Sequence, residues 1–192
     1  MDIDGKKAIV FGGTSGIGLS ATQMLSDKGA HVVALSRNPE KLQNTPKNVV
    51  TKKMNVLDRD ALEQFFQEVG EYDILVNSAT GGARAVGPFL SMDLDGYRAS
   101  FDKLWGYTNV VRYGTKFLKD NGNIVLVSGS PARKCRPGQI AISSVGGAVE
   151  AFARGIAPEI APKRINIVSP GIIDTPMSPL QGKEREAVSY TH

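Results

Sequence analysis

The residues best suited to chemistry near the start of the chain are three glycines and the hydroxyls between them. Gly12, Gly16 and Gly18 lie in GGTSGIG, directly after the apolar run Ala8 to Phe11 and at the opening of a helical pattern. Strand, glycine turn and helix in that order are the context in which a glycine motif binds phosphate. Three residues separate Gly12 from Gly16, so the motif is not the GxGxxG form, although the physics is similar. Gly12 permits the tight turn, Gly16 leaves no side chain where a pyrophosphate must approach, and Gly18 lets the first helix lie close on the sheet. The N–H groups of the first helical turn then face the anion.

Other chemistries have little to work with. Cys135 is the only cysteine, which excludes an intrachain disulfide framework and a cysteine-rich metal site. The two histidines, His31 and His192, fall at a strand start and at the extreme terminus, so no histidine-based metal site is expected. The formal charge of +4 comes from 23 basic and 19 acidic residues mixed along the chain, without a long basic block, and nucleic acid is not an expected partner. The opening Met-Asp-Ile-Asp has no basic region followed by an apolar one, and no segment reaches the length of a membrane span. A cytoplasmic protein is expected.

Positioning the glycine turn requires a sheet, and the patterning supplies one. A chain of 192 residues fits a single domain, here 1–192 with an irregular tail over 176–192. The first helix runs from about Gly16 to Lys28, with Ile17, Ala21, Met24 and Leu25 on one side, and Gly29 stops it. Further strands are expected at His31 to Leu35, Asn48 to Met54, Tyr72 to Val76, Asn123 to Val127 and Arg164 to Val168. Pro39 starts a short helical turn, and Asp58 caps a helix over Arg59 to Val69. Asp95 to Lys119 reads as one long helix, and Ile142 to Ile156 as another. Alternation of this kind gives an α/β fold: a doubly wound, mostly parallel sheet with helices on both faces.

Taken together, GGTSGIG after strand one, NSAT after strand four, VSGS after strand five and SPGIIDT after strand six resemble the short-chain dehydrogenase/reductase family, over roughly Gly5 to Thr175. That resemblance implies a three-layer α/β/α Rossmann fold with strand order 3-2-1-4-5-6. A seventh family strand has no counterpart before His192. It also implies a dinucleotide across the carboxyl ends of the strands, with Gly12, Thr14, Ser15, Gly16, Ile17 and Gly18 at its phosphates and ribose. Asn55 and Val56 match positions flanking the adenine. Asn77, Ala79 and Thr80 match the NNAG segment, from which Ser78 and Thr80 depart. Pro170, Gly171, Ile173 and Thr175 match the segment holding the nicotinamide end. Where NAD binding usually wants an acidic residue at the end of strand two, this chain has Ser36, Arg37 and Asn38. Arg37 can form charge-assisted bonds to a 2′-phosphate, so NADP(H) is preferred, with NAD(H) as the alternative.

The family's proton chemistry uses a Tyr, a Lys four residues later and a Ser one strand-loop earlier. In QIAISSVGGAVEAF that register sets Ile142 at the Tyr position and Gly146 at the Lys position, and neither side chain can donate a proton. Ser130, or else Ser128, matches the Ser, and Lys103 stands where the family has an Asn supporting the proton relay. Ser130 and Lys103 are therefore the catalytic candidates. Tyr97, Tyr107, Tyr113, Ser143, Ser144 and Cys135 are weaker stand-ins. The resemblance implies a homodimer through the long helix and the Ile142 to Ile156 helix. It leaves two functions open: an oxidoreductase acting on a small carbonyl or alcohol, and an inactive nucleotide-binding regulatory protein. The substrate is not legible.

Overall fold

Short, almost continuous apolar runs form the central layer, because strands covered on both faces have no polar side to alternate with. The computed structural model describes residues 2–42, 45–173 and 175, so the tail expected over 176–192, with His192, lies outside them. Six strands, β1 (Lys7–Phe11), β2 (His31–Ser36), β3 (Val49–Lys53), β4 (Tyr72–Asn77), β5 (Leu118–Val127) and β6 (Arg164–Val168), make one sheet in the order β3-β2-β1-β4-β5-β6. All neighbours are parallel. Every residue of β4 is buried, whereas β6 alternates between exposed and half-buried positions.

Helices cover both faces, giving the expected three-layer α/β/α Rossmann architecture. Helix α1 (Gly16–Asp27) lies on one face, where Ala21 and Leu25 pack against Ala8, Val10, Val32, Ala34, Ile74 and Val76. The opposite face carries α2 (Arg59–Val69), α4 (Asp102–Gly114) and α5 (Ile140–Ile156), whose Leu62, Phe65, Phe66, Tyr107, Val110, Val149 and Ala153 close over Ile9, Phe11, Leu75, Ile124 and Leu126. The order reverses between β1 and β4, which opens a crevice at the carboxyl ends of these two strands.

Three expectations need correction. The long helix over Asp95 to Lys119 is two helices, α3 (Leu94–Ala99) and α4, followed by a 3-10 turn over Thr115–Phe117. The break falls at Ser100 and Phe101, where the Ser100 hydroxyl donates back to the Gly96 carbonyl at 2.9 Å and accepts from the Ala85 N–H at 2.9 Å. A serine that bonds its own turn and an adjoining loop competes with helix continuation. Strand β5 begins at Leu118 rather than Asn123: Leu118 pairs with Tyr72, the register then shifts, and regular pairing resumes at Asn123 opposite Ile74. Finally, the stretch Ile140–Glu159 is long and apolar enough to cross a membrane by length and composition. Of this stretch, Ala141, Val145, Val149 and Ala153 are buried inside the protein.

Candidate active site

The turn between β1 and α1 is built for close approach. Gly12 and Gly16 have φ of +74° and +50°, in the region that favours glycine. A Cβ on Gly12 would lie 2.7 Å from Ser78 Oγ and 2.9 Å from the Ala79 nitrogen. A Cβ on Gly18 would collide with the Gly12 carbonyl oxygen and with Ser78 Oγ, so the helix can meet the strand only because that atom is absent. Ser15 caps α1 in extended conformation with no side-chain hydrogen bond, and the first turn holds no acidic residue. Its N–H groups are thus not capped by a side chain, the arrangement that suits an anion.

A cavity of about 610 Å³ opens at this turn, lined by Thr14, Ser15, Gly16, Ile17, Pro170 and Thr175 among others, with Ile173 also on its wall. A Cβ on Gly16 would come 3.4 Å from Thr175 Cβ. The fold therefore brings the glycine turn together with the segment after β6, two pieces of sequence far apart in the chain. Thr14 also reaches the end of β2, its hydroxyl donating to Ser36 Oγ at 2.8 Å. Arg37, Asn38 and Asn55 are exposed beyond the ends of β2 and β3. Val56 is buried, with its side chain against Gly106 and its carbonyl accepting from Asn109 Nδ2 at 3.1 Å. Ala79 and Thr80 are half-buried at the end of β4. Asn77 is fully buried; its Oδ1 accepts from the Ala79 N–H at 3.1 Å, and its Nδ2 has no partner.

The other side of the crevice is built differently. Lys103 on α4 donates from Nζ to the Ser128 carbonyl at 3.2 Å, at the carboxyl end of β5, and lies over the Tyr107 ring. Burial, with a smaller contribution from the Arg84 cation, pushes the Lys103 ammonium down to about 8. Tyr107 is fully buried, its hydroxyl donating to the Val127 carbonyl at 2.9 Å, and burial pushes its pKa far above the usual value. Tyr97 donates to Ser144 Oγ at 3.0 Å. Ser128 is buried and donates to the Gly146 carbonyl at 3.1 Å. Ser130 is half-buried at the start of a 3-10 turn over Ser130–Ala132, and its N–H donates to the Pro170 carbonyl at 2.8 Å. Gly171 is exposed next to it. Ile142 is half-buried on α5, and a Cβ on Gly146 would meet Ala132 Cβ at 2.9 Å and Ser128 Oγ at 3.2 Å.

A family model described as short chain dehydrogenase matches residues 6–186. The chain belongs to this family. It is 31% identical to 2,3-dihydro-2,3-dihydroxybenzoate dehydrogenase of Bacillus subtilis, covering 91% of this chain and 72% of that protein. It is likewise 31% identical to the 3-oxoacyl-[acyl-carrier-protein] reductase FabG of Thermotoga maritima, over 97% of this chain and 82% of that one. Among solved structures it resembles a short chain dehydrogenase from Burkholderia cenocepacia J2315 in complex with NADP, with 29% identity and a TM-score of 0.85, covering 98% of this chain and 83% of that chain.

In this member of the family, sequence reasoning overlooked Glu150 and Ser169. Glu150 is buried and accepts from Ser169 Oγ at 2.7 Å and from Arg133 Nε at 3.0 Å. The Ser169 hydrogen bond, together with the Arg133 and Arg154 cations, outweighs burial and holds its carboxyl below the usual carboxylate range. One signal was available: Glu150 is the only acidic residue in the run Ile140 to Ile156, which is apolar apart from it, Ser143, Ser144 and Arg154.

Proposed function

We propose that this short-chain dehydrogenase is an NADP(H)-binding oxidoreductase acting on a small carbonyl or alcohol in the cytoplasm, as a homodimer through α4 and α5. The observation that carries the proposal is the phosphate cradle: Gly12, Gly16 and Gly18 in a turn that tolerates no Cβ at Gly18, open to the uncapped start of α1. The NADP-bound relative from Burkholderia cenocepacia supports the same cofactor. The residues fit such a molecule. Gly12, Thr14, Ser15, Gly16, Ile17 and Gly18 would hold its phosphates, and Ser36, Arg37 and Asn38 its adenosine 2′-phosphate. Asn55 and Val56 would flank the adenine, Asn77, Ala79 and Thr80 the adjoining ribose, and Pro170, Gly171, Ile173 and Thr175 the nicotinamide end. The fully buried Asn77 carries an unpartnered Nδ2 and gains a reason for being there if it faces a ligand.

When bound, the nicotinamide supplies or accepts a hydride. The chain's own part is the proton. A carbonyl oxygen at the carboxyl end of β5 would take a proton from the Lys103 ammonium and leave the neutral amine, the form that burial favours. Ser130 would orient the same oxygen by donating a hydrogen bond. A second reading, an inactive nucleotide-binding regulatory protein, is favoured by one specific observation: Ile142 and Gly146 stand where the family resemblance expects the Tyr and Lys.

Equilibrium titration with NADPH and NADH tests the proposal. NADPH should bind about tenfold more tightly or better, the effect of one charge-assisted contact to the 2′-phosphate. Equal affinities would remove the role of Arg37, and no binding of either nucleotide would overturn both readings. Binding without consumption of NADPH across a panel of aldehydes and ketones would select the second.

A further inference from the structure

Glu150 occupies an expensive position. A carboxylate that is only 6% exposed has lost most of its hydration, and a buried ion pair contributes little net stability compared with well-packed apolar side chains. Its geometry is more informative than its energy. Oε1 accepts from Ser169 at 2.7 Å, and Oε2 accepts from Arg133 at 3.0 Å. Arg133 closes the 3-10 turn that follows β5, and Ser169 begins the loop that follows β6. One rigid helix thus grips two separate loops through the two oxygens of one side chain. Backbone bonds continue the link, from the Ser128 N–H to the Val168 carbonyl and from the Ser130 N–H to the Pro170 carbonyl, each 2.8 Å.

Both loops stand at the carboxyl ends of β5 and β6. A dinucleotide lying across an order reversal puts one nucleotide on each side of it. The adenosine side, at Ser36, Arg37 and Asn55, stands at the ends of β2 and β3, and the hydrogen-bonding partners of Glu150 both lie on the other side. We propose that Glu150 is a positioning residue for the nicotinamide half of bound NADP(H): by holding Arg133 and Ser169, it fixes the separation between Ser130 and the Pro170–Gly171 segment. This inference rests on the cofactor reading above.

The test compares two ligands on the full chain: NADPH, and adenosine 2′,5′-bisphosphate, which carries the adenosine and the 2′-phosphate but no nicotinamide. Glu150→Ala should weaken NADPH about tenfold, the effect of losing hydrogen bonds to a charged group, and leave the bisphosphate within about twofold. Glu150→Gln keeps an acceptor for Ser169 and loses the charge, so its NADPH affinity should fall between Glu150→Ala and the parent. Arg133 is largely exposed and Glu150 keeps its Ser169 bond without it, so Arg133→Ala should disturb the core less than Glu150→Ala and show the same selective loss. Equal losses for both ligands, or no loss for either, would overturn the positioning role while leaving the cofactor reading intact. Failure of the parent protein to bind either ligand would overturn the cofactor reading and the inference with it.

Discussion

The two sides of the crevice are built in different ways. Around β1, α1 and β2, close backbone packing dominates: glycines at 12, 16 and 18, a Thr14–Ser36 hydroxyl bond and an uncapped helix start. Around β5, α5 and β6, side chains dominate: Lys103 on the Ser128 carbonyl, Ser128 on the Gly146 carbonyl, and Glu150 between Arg133 and Ser169. The first side offers little room for substitution because backbone atoms do not yield. On the second, Lys103 reaches from α4 to the Ser128 carbonyl at the carboxyl end of β5. Binding and proton transfer can therefore be separated experimentally.

The largest effect is expected on the backbone side. In Gly18→Ala the new methyl meets the Gly12 carbonyl oxygen and Ser78 Oγ; the serine side chain can move, but the Gly12 carbonyl cannot retreat without shifting β1 or α1. The variant should lose about 3 kcal/mol of stability, the upper part of the usual overpacking range, together with nucleotide binding. Denaturant unfolding and NADPH titration measure the two losses. Normal stability and affinity would mean that the strand and helix do not meet as closely as described.

On the β5 side, Lys103→Met should lower carbonyl reduction about a hundredfold, the low end of what a positioned acid contributes, while NADPH affinity stays unchanged. The pH profile gives the sign. The ammonium titrates at about 8, so reduction driven by it should be full below that value and fall as pH rises through it, and alcohol oxidation should rise over the same interval. In Lys103→Met the limb should disappear. A limb that survives the substitution would assign the proton to another group.

Legibility followed the same divide. The strands, the glycine turn and the Asp58 cap are local features: Asp58 accepts from the Ala61 N–H at 3.0 Å, as its position before a helical pattern predicts. The break at Ser100 was not legible, because the competing partner of its hydroxyl, Ala85, belongs to a loop fifteen residues earlier. The early start of β5 was hidden by Lys119, Asp120 and Asn121, a polar stretch that pairs poorly with any strand pattern. Glu150 could be noticed as a lone acid on an apolar helix, but its partners lie 17 and 19 residues away on two different loops. Sequence periodicity reports which face is buried, and it does not report which side chains meet across loops.

The smallest effect bears most directly on how the second side came to differ. If Ile142 and Gly146 were simple losses, restoring Tyr and Lys would return the family's usual chemistry. The packing around Gly146 argues otherwise. A Cβ there would lie 2.9 Å from Ala132 Cβ and 3.2 Å from Ser128 Oγ, so the 3-10 turn over Ser130–Ala132 has settled into the space a side chain would need. That turn also carries Ser130 and leads into Arg133, so pushing it outward would disturb the Ser130–Pro170 backbone bond and the Arg133–Glu150 pair. The double variant Ile142→Tyr with Gly146→Lys should therefore be less stable by about 2 kcal/mol, a typical cost of overpacking, and should not exceed the parent in NADPH oxidation. Thermal unfolding and steady-state assays of the double variant and of Ile142→Tyr alone separate the two positions: the stability loss should belong to Gly146→Lys. A gain in turnover without loss of stability would mean that the site around α5 is still open to the family's usual residues.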